Sequence, residues 1–90
     1  MLSAKTEYAV RALLRLSLEY DRGAPVQGKR IASEERIPEG FLAQILGQLK
    51  RLGLVTSVRG ACGGYRLATP PDRLTLGEAI EMIEGPPAER

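Results

Sequence analysis

No histidine occurs anywhere in this chain of 90 residues, and Cys62 is its only cysteine. The usual hydrolytic dyads and zinc sets are built from those two residue types, so an enzyme of either kind is disfavoured. A lone cysteine also excludes an internal disulfide. No apolar run approaches the length of a membrane span, and the start MLSAKTEYAVRA lacks the basic-then-apolar order of a signal peptide. The chain therefore reads as cytoplasmic, with no membrane partner. Internal repeats, low-complexity segments and a second-domain linker are missing as well, and a chain this short has room for one modest core. A single domain over residues 1–90 is expected.

Hydrophobic residues make up 43% of the chain and charged residues 27%, a balance that suits a folded globular domain rather than a disordered one. The net charge of +2 is unevenly spread. Residues 28–66 carry seven lysines and arginines against three glutamates, whereas residues 70–90 carry five acidic residues against two arginines. A basic middle beside an acidic end points to an anionic partner at the middle.

Ser3 can cap a helix through Tyr20, because Ala9, Ala12, Leu13, Leu16 and Tyr20 recur at helical spacing. Glu7 with Arg11, and Arg15 with Glu19, would pair four residues apart on its wet side. Gly23 and Pro25 break this helix, and a second short one is expected near Gly28 to Glu35, with Ile31 and Ala32 inward. Arg36 and Ile37 make a turn. Pro38 suits the first position of a third helix running to about Leu52, with Phe41, Leu42, Ile45, Leu46, Leu49 and Leu52 as its buried stripe and Gly53 as its stop. LVTSVRG and GYRLA then pair as a hairpin across a glycine-rich tip. Thr75 and Glu78 open a last helix, which Gly85, Pro86 and Pro87 stop.

A short helix, a tight turn and a longer helix at about 28–52, with a wing at about 54–68, make a mainly α fold with a small β-hairpin, the winged helix-turn-helix. Such an arrangement lays its second helix in the major groove of DNA. The third helix would present Glu39, Gly40, Ala43, Gln44, Gly47, Gln48 and Arg51 outward. Glycine inside a helix costs about 1 kcal/mol relative to alanine, and close approach of another backbone is one reason to accept it. Gln44 has the amide to pair with adenine N6 and N7, and the Ala43 methyl can touch a thymine methyl. Lys29, at the second helix, is a further candidate DNA contact. Arg59 precedes the wing's tip and can enter a narrow minor groove or meet a phosphate. The backbone N–H groups of Gly60, Gly63 and Gly64 can reach phosphates, unless glycine serves only the turn there. Tyr65 is read as core packing. Cys62 is either a small tolerated tip residue or a redox thiol whose thiolate Arg59 and Arg66 would favour. A winged-helix module that binds another protein instead of DNA is the alternative reading.

TEYAVRALLRLS, IASEERIPEGFLAQILGQLKRLGLV, SVRGACGGYRLA and LTLGEAIEMIEGP stand in that order along nearly the whole chain. Together they resemble the DNA-binding domain of the bacterial IscR/NsrR/CymR regulators, the Rrf-two family. The resemblance implies a homodimeric transcription factor, read here as a repressor, on a pseudo-palindromic promoter site in double-stranded DNA. It places base reading at the start of the third helix, on Gly40, Ala43 and Gln44, and minor-groove insertion on Arg59. Some members have serine and glutamate ahead of the glutamine where this chain has Gly40 and Ala43, so Gln44 and Arg59 are the positions that carry over. Sensing members hold an iron–sulfur cluster through three cysteines beyond the EG that ends the last helix; those cysteines are not in this chain, and no cofactor is expected in it. The family's long dimerisation helix lies beyond the same point, so these 90 residues alone are expected to be monomeric or weakly dimeric.

Overall fold

Apolar residues three and four apart wind into helices whose stripes must meet, and here four helices do so beside one hairpin. A computed structural model describes residues 2–85. The elements are α1 (Ala4–Leu18), α2 (Gly28–Glu35), α3 (Glu39–Arg51), β1 (Val55–Val58), β2 (Gly64–Leu67) and α4 (Leu76–Glu84), with 3-10 turns at Tyr20–Arg22 and Pro71–Arg73. This is the winged helix-turn-helix. Among the described residues no helix is long and apolar enough to cross a membrane.

The ends follow local chemistry. The Ser3 hydroxyl accepts the Thr6 N–H at 3.1 Å and caps α1. Thr75 and Glu78 exchange side-chain and backbone bonds in a capping box at the start of α4. α1 stops two residues before the expected Tyr20, because the chain there tightens into a 3-10 turn closed by Gly23 at φ 75°. Pro38 takes the N-cap rather than the first helical position, with ψ 134°. Arg36 closes α2 in the left-handed region at φ 55°, a conformation that costs a non-glycine residue roughly 1–2 kcal/mol. The prolines expected to stop α4, Pro86 and Pro87, lie outside the described residues.

The core gathers Ala9, Ala12, Leu13 and Leu16 of α1, Ile31 of α2, Leu42, Ile45, Leu46 and Leu49 of α3, and Ala79 and Ile83 of α4. Leu54, Val55 and Leu67 bring the root of the hairpin into the same cluster. Tyr8 and Phe41 meet edge to face, 5.4 Å between centroids, and tie α1 to the start of α3.

The hairpin pairs Val55 with Leu67 through Val58 with Gly64, antiparallel. A third partner was not anticipated. Val26, in the loop before α2, exchanges both backbone bonds with Tyr65, at 2.9 and 2.8 Å. One residue of strand leaves no alternation to read.

The ion pairs also differ from expectation. Instead of pairing within α1, Arg15 reaches across to Glu35 at 2.9 Å and Glu34 at 3.6 Å, and Glu19 meets Arg30 at 2.6 Å. Arg11 donates to the backbone carbonyl of Glu35, satisfying one of the orphan acceptors at the end of α2. Hydrogen bonds to Glu34 and then to Glu19 hold the Arg30 guanidinium above its ordinary pKa. Arg30 keeps Glu34, four residues on, as a partner within α2, while Arg15 of α1 and Glu19 just after it turn to α2, where Arg11 also completes the helix end.

Candidate nucleic-acid interface

The buried stripe of α3 dictates what its other side can offer. Glu39, Gly40, Ala43, Gln44, Lys50 and Arg51 are exposed, and Gly47 is half-buried. Gln48 lies at the edge of this face and its Nε2 donates to the carbonyl of Ile83 at 3.2 Å, so its amide faces α4. The structure therefore separates Gln48 from the other candidates on α3.

Among the described residues nothing requires glycine on this face. A Cβ built on Gly40 would meet no atom within 4 Å, and one on Gly47 would make only ordinary contact, 3.6 Å from an Arg51 nitrogen. Two helix-weakening residues thus stand where intramolecular packing supplies no reason for them.

Tertiary structure adds a cation that the sequence reading missed. Lys5, in the first turn of α1, lines a groove of about 370 Å³ with Gln44, Gly47 and Arg51. A signal was present: a lysine opposes the partial positive charge of a helix N-terminus, so its place there asks for another cause. On the other flank of α3, Lys29 lines a smaller pocket with Glu39, Ala43 and Tyr65.

The wing brings Arg59 out, exposed, just beyond β1. Gly60 follows, exposed and at φ 111°. Gly63 and Gly64 are different, and of the two uses left open for them the hydrogen bonds favour the turn. The Gly63 N–H donates to the Gly60 carbonyl at 2.9 Å, closing the turn, and a Cβ on Gly63 would overlap the Val58 carbonyl. Successive strand residues direct their backbone groups to opposite sides, and Tyr65 gives both of its own to Val26, so Gly64 directs its N–H to Val58. A Cβ on Gly64 would overlap the Val26 carbonyl. Both glycines serve the hairpin. Tyr65 packs against the core as anticipated, and Arg66 lies over the Tyr20 ring at 5.6 Å.

Electrostatics sharpen the picture. Glu34 and Glu35 are engaged by Arg11, Arg15 and Arg30. Lys5, Lys29, Arg36, Lys50, Arg51 and Arg59 are exposed and enter no ion pair among the described residues. Folding pairs Glu34 and Glu35, two of the three glutamates of the basic middle segment, leaves Glu39 exposed, and leaves most of the segment's cations to solvent.

Known proteins share this fold and part of its sequence. Residues 2–89 match the family Rrf2, described as an iron-dependent transcriptional regulator. The HTH-type transcriptional regulator CymR of Bacillus subtilis is 38% identical over 85 residues, which cover 94% of this chain and 61% of that protein. The HTH-type transcriptional regulator IscR of Aliivibrio salmonicida is 39% identical over 83 residues, covering 92% of this chain and 49% of that one. The solved structure of B. subtilis CymR, the global cysteine regulator of that organism, superposes with a TM-score of 0.89 at 36% identity, covering all of this chain and 70% of its own. The chain thus spans about half to three fifths of the length of these curated relatives.

The iron named in the family description finds no fitting ligands here. Among the described residues no three of His, Cys, Asp and Glu are grouped to hold a metal ion, and the one cysteine, Cys62, is exposed on the wing. One thiol at a loop tip does not fit an iron–sulfur cluster.

Proposed function

We propose that this chain, which belongs to the Rrf2 family of transcriptional regulators, acts as the DNA-binding portion of such a regulator, reading a promoter site in double-stranded DNA. The observation that carries the reading is the exposed face of α3, where Gln44 stands among Gly40, Ala43 and Gly47 and is flanked by Lys5, Lys29 and Arg51. In the major groove the glycines let the helix approach base edges closely. Gln44 pairs with an adenine, Ala43 touches a thymine methyl and Glu39 accepts from a cytosine N4 amine. Lys5, Lys29 and Arg51 meet phosphates on either side and fix the helix in register. Arg59 enters the adjoining minor groove, and the exposed Gly60 backbone approaches a phosphate. No catalytic step is assigned, and the compartment is the cytoplasm, where bacterial DNA lies.

The regulator is further proposed to bind as a homodimer on a pseudo-palindrome, with half-sites about 34–36 Å apart. Its support is an apolar surface away from α3: Leu14, Leu18 and Leu76 are 50%, 74% and 50% exposed, and Leu14 and Leu76 line one groove with Leu74 and Pro71. Apolar side chains gathered in this way mark an association surface.

Gln44→Ala tests the reading. On a site selected from a random duplex library, the substitution is expected to lower affinity by about 1–3 kcal/mol, the worth of one bidentate base contact, with little change on random DNA. Fluorescence anisotropy on both duplexes measures it. Equal losses on the two DNAs would remove Gln44 from base reading, and no binding to either by the unsubstituted chain would favour a protein partner instead.

A further inference from the structure

Gln27 occupies the N-cap position of α2, where a polar side chain ordinarily accepts from the first N–H groups of the helix. It makes no such bond. Its Nε2 instead reaches across the fold and donates to the carbonyl of Ala61, at the tip of the wing, at 3.2 Å. The adjoining residue, Val26, holds the stem of the same hairpin through its two backbone bonds to Tyr65. Two consecutive residues of the loop that leads into the helix-turn-helix thus hold the wing at two heights.

Arg59 lies one residue beyond the end of β1, nearer the tip than the Ser57–Tyr65 pair that Val26 holds and two residues before Ala61. The turn around it is closed on itself: Gly60 is exposed at φ 111°, and the Gly63 N–H bond to Gly60 does not tie the tip to the rest of the molecule. Among the described residues, Gln27 is the side chain that provides that tie.

We propose that Gln27 is a positioning residue: its bond to Ala61 sets where Arg59 stands relative to α3, and with it the offset between the major-groove step read by that helix and the minor-groove flank reached by the wing. The proposal rests on the DNA-binding reading above. A single exposed amide bond contributes little to global folding, so its loss leaves the fold standing, but it is enough to bias a glycine-rich loop between held and free states. Restraining the loop in its binding conformation removes an ordering cost that binding would otherwise meet.

Cys62, unique in the chain, exposed and next to Ala61, accepts a nitroxide spin label without further engineering. In the unsubstituted chain the label's spectrum is expected to show restrained motion. Gln27→Ala and the near-isosteric Gln27→Glu, which lacks the donor, should both shift it to fast motion while the thermal midpoint stays nearly unchanged. Unlabelled Gln27→Ala should bind random duplex DNA within about twofold of the parent, the small loss being the ordering cost of the freed loop. On sites differing only in an A·T-rich or G·C-rich flank it should lose several-fold of the parent's discrimination, approaching Arg59→Ala, which removes the wing's minor-groove side chain and should lose that discrimination altogether. Spectra that do not respond to either substitution would overturn the proposal. So would a mobile wing whose flank discrimination is intact, or a parent chain that binds DNA without distinguishing the flanks. A parent chain that binds no DNA at all would instead sink the DNA-binding reading, with the label still reporting whether Gln27 restrains the tip.

Discussion

Replacing Gly64 by alanine is expected to dislodge the wing and to cost the chain about 3–5 kcal/mol. At φ 151° the residue lies where L side chains rarely go, and an added Cβ would overlap the Val26 carbonyl and crowd the Gln27 nitrogen, all backbone atoms of one segment. Backbone cannot swing aside as a side-chain end can. Relief requires parting Val26 from Tyr65, which gives up two backbone hydrogen bonds at about 1 kcal/mol each in addition to the strain. Domains of this size are stable by only about 5–15 kcal/mol, so the variant should unfold at a much lower urea concentration. Gly60→Ala is the control. Its φ of 111° is also unfavourable, but nothing lies within 4 Å of the added carbon, and the cost should be about 1–2 kcal/mol. Equal destabilisation by the two would show that close approach of the Val26 segment is not what Gly64 provides.

Leu49→Ala should be comparably severe for a different reason. Leu49 is 0% exposed and faces the core from the last turns of α3, so its truncation removes apolar burial and leaves a cavity that its neighbours fill only in part. About 3–4 kcal/mol is expected, in the range found for fully buried leucines, and DNA binding should decline in proportion to the folded fraction. Leu18→Ala, at a position 74% exposed, should change stability by less than about 0.5 kcal/mol. Urea unfolding of both variants checks the pair; a Leu49→Ala cost below about 1 kcal/mol would contradict the packing described for α3.

Much of this fold was legible because its signals are local. Leu42, Ile45, Leu46 and Leu49 repeat at helical spacing and are all buried; Gly53, read as the stop after α3, stands at φ 80°; Ser3 and Thr75 cap the helices they precede. What escaped depends on partners distant in the chain. Arg15 in the last turn of α1 and Glu19 at its C-cap are four residues apart, yet each finds a better-placed partner on α2. Val26 is a strand of one residue, too short to show a period. Lys5 comes beside Gln44 only once α1 and α3 pack, and Gln48 turns to α4 because Ile83 offers it a carbonyl. For Gly63 and Gly64 the sequence left open a structural and a phosphate-binding use, and it was the overlap an added Cβ would make that decided for structure.

The central claim is that the cations left unpaired around α3 and the wing face the phosphates of DNA. Its most direct measurement is the affinity of the chain for a labelled random duplex, followed by anisotropy as salt rises from about 50 to 300 mM. Four or five phosphate contacts among Lys5, Lys29, Arg51, Arg59 and the neighbouring Arg36 and Lys50 predict that log affinity falls linearly with log salt, with a slope of about −4. No binding at the lowest salt, or an affinity that salt leaves unchanged, would contradict it.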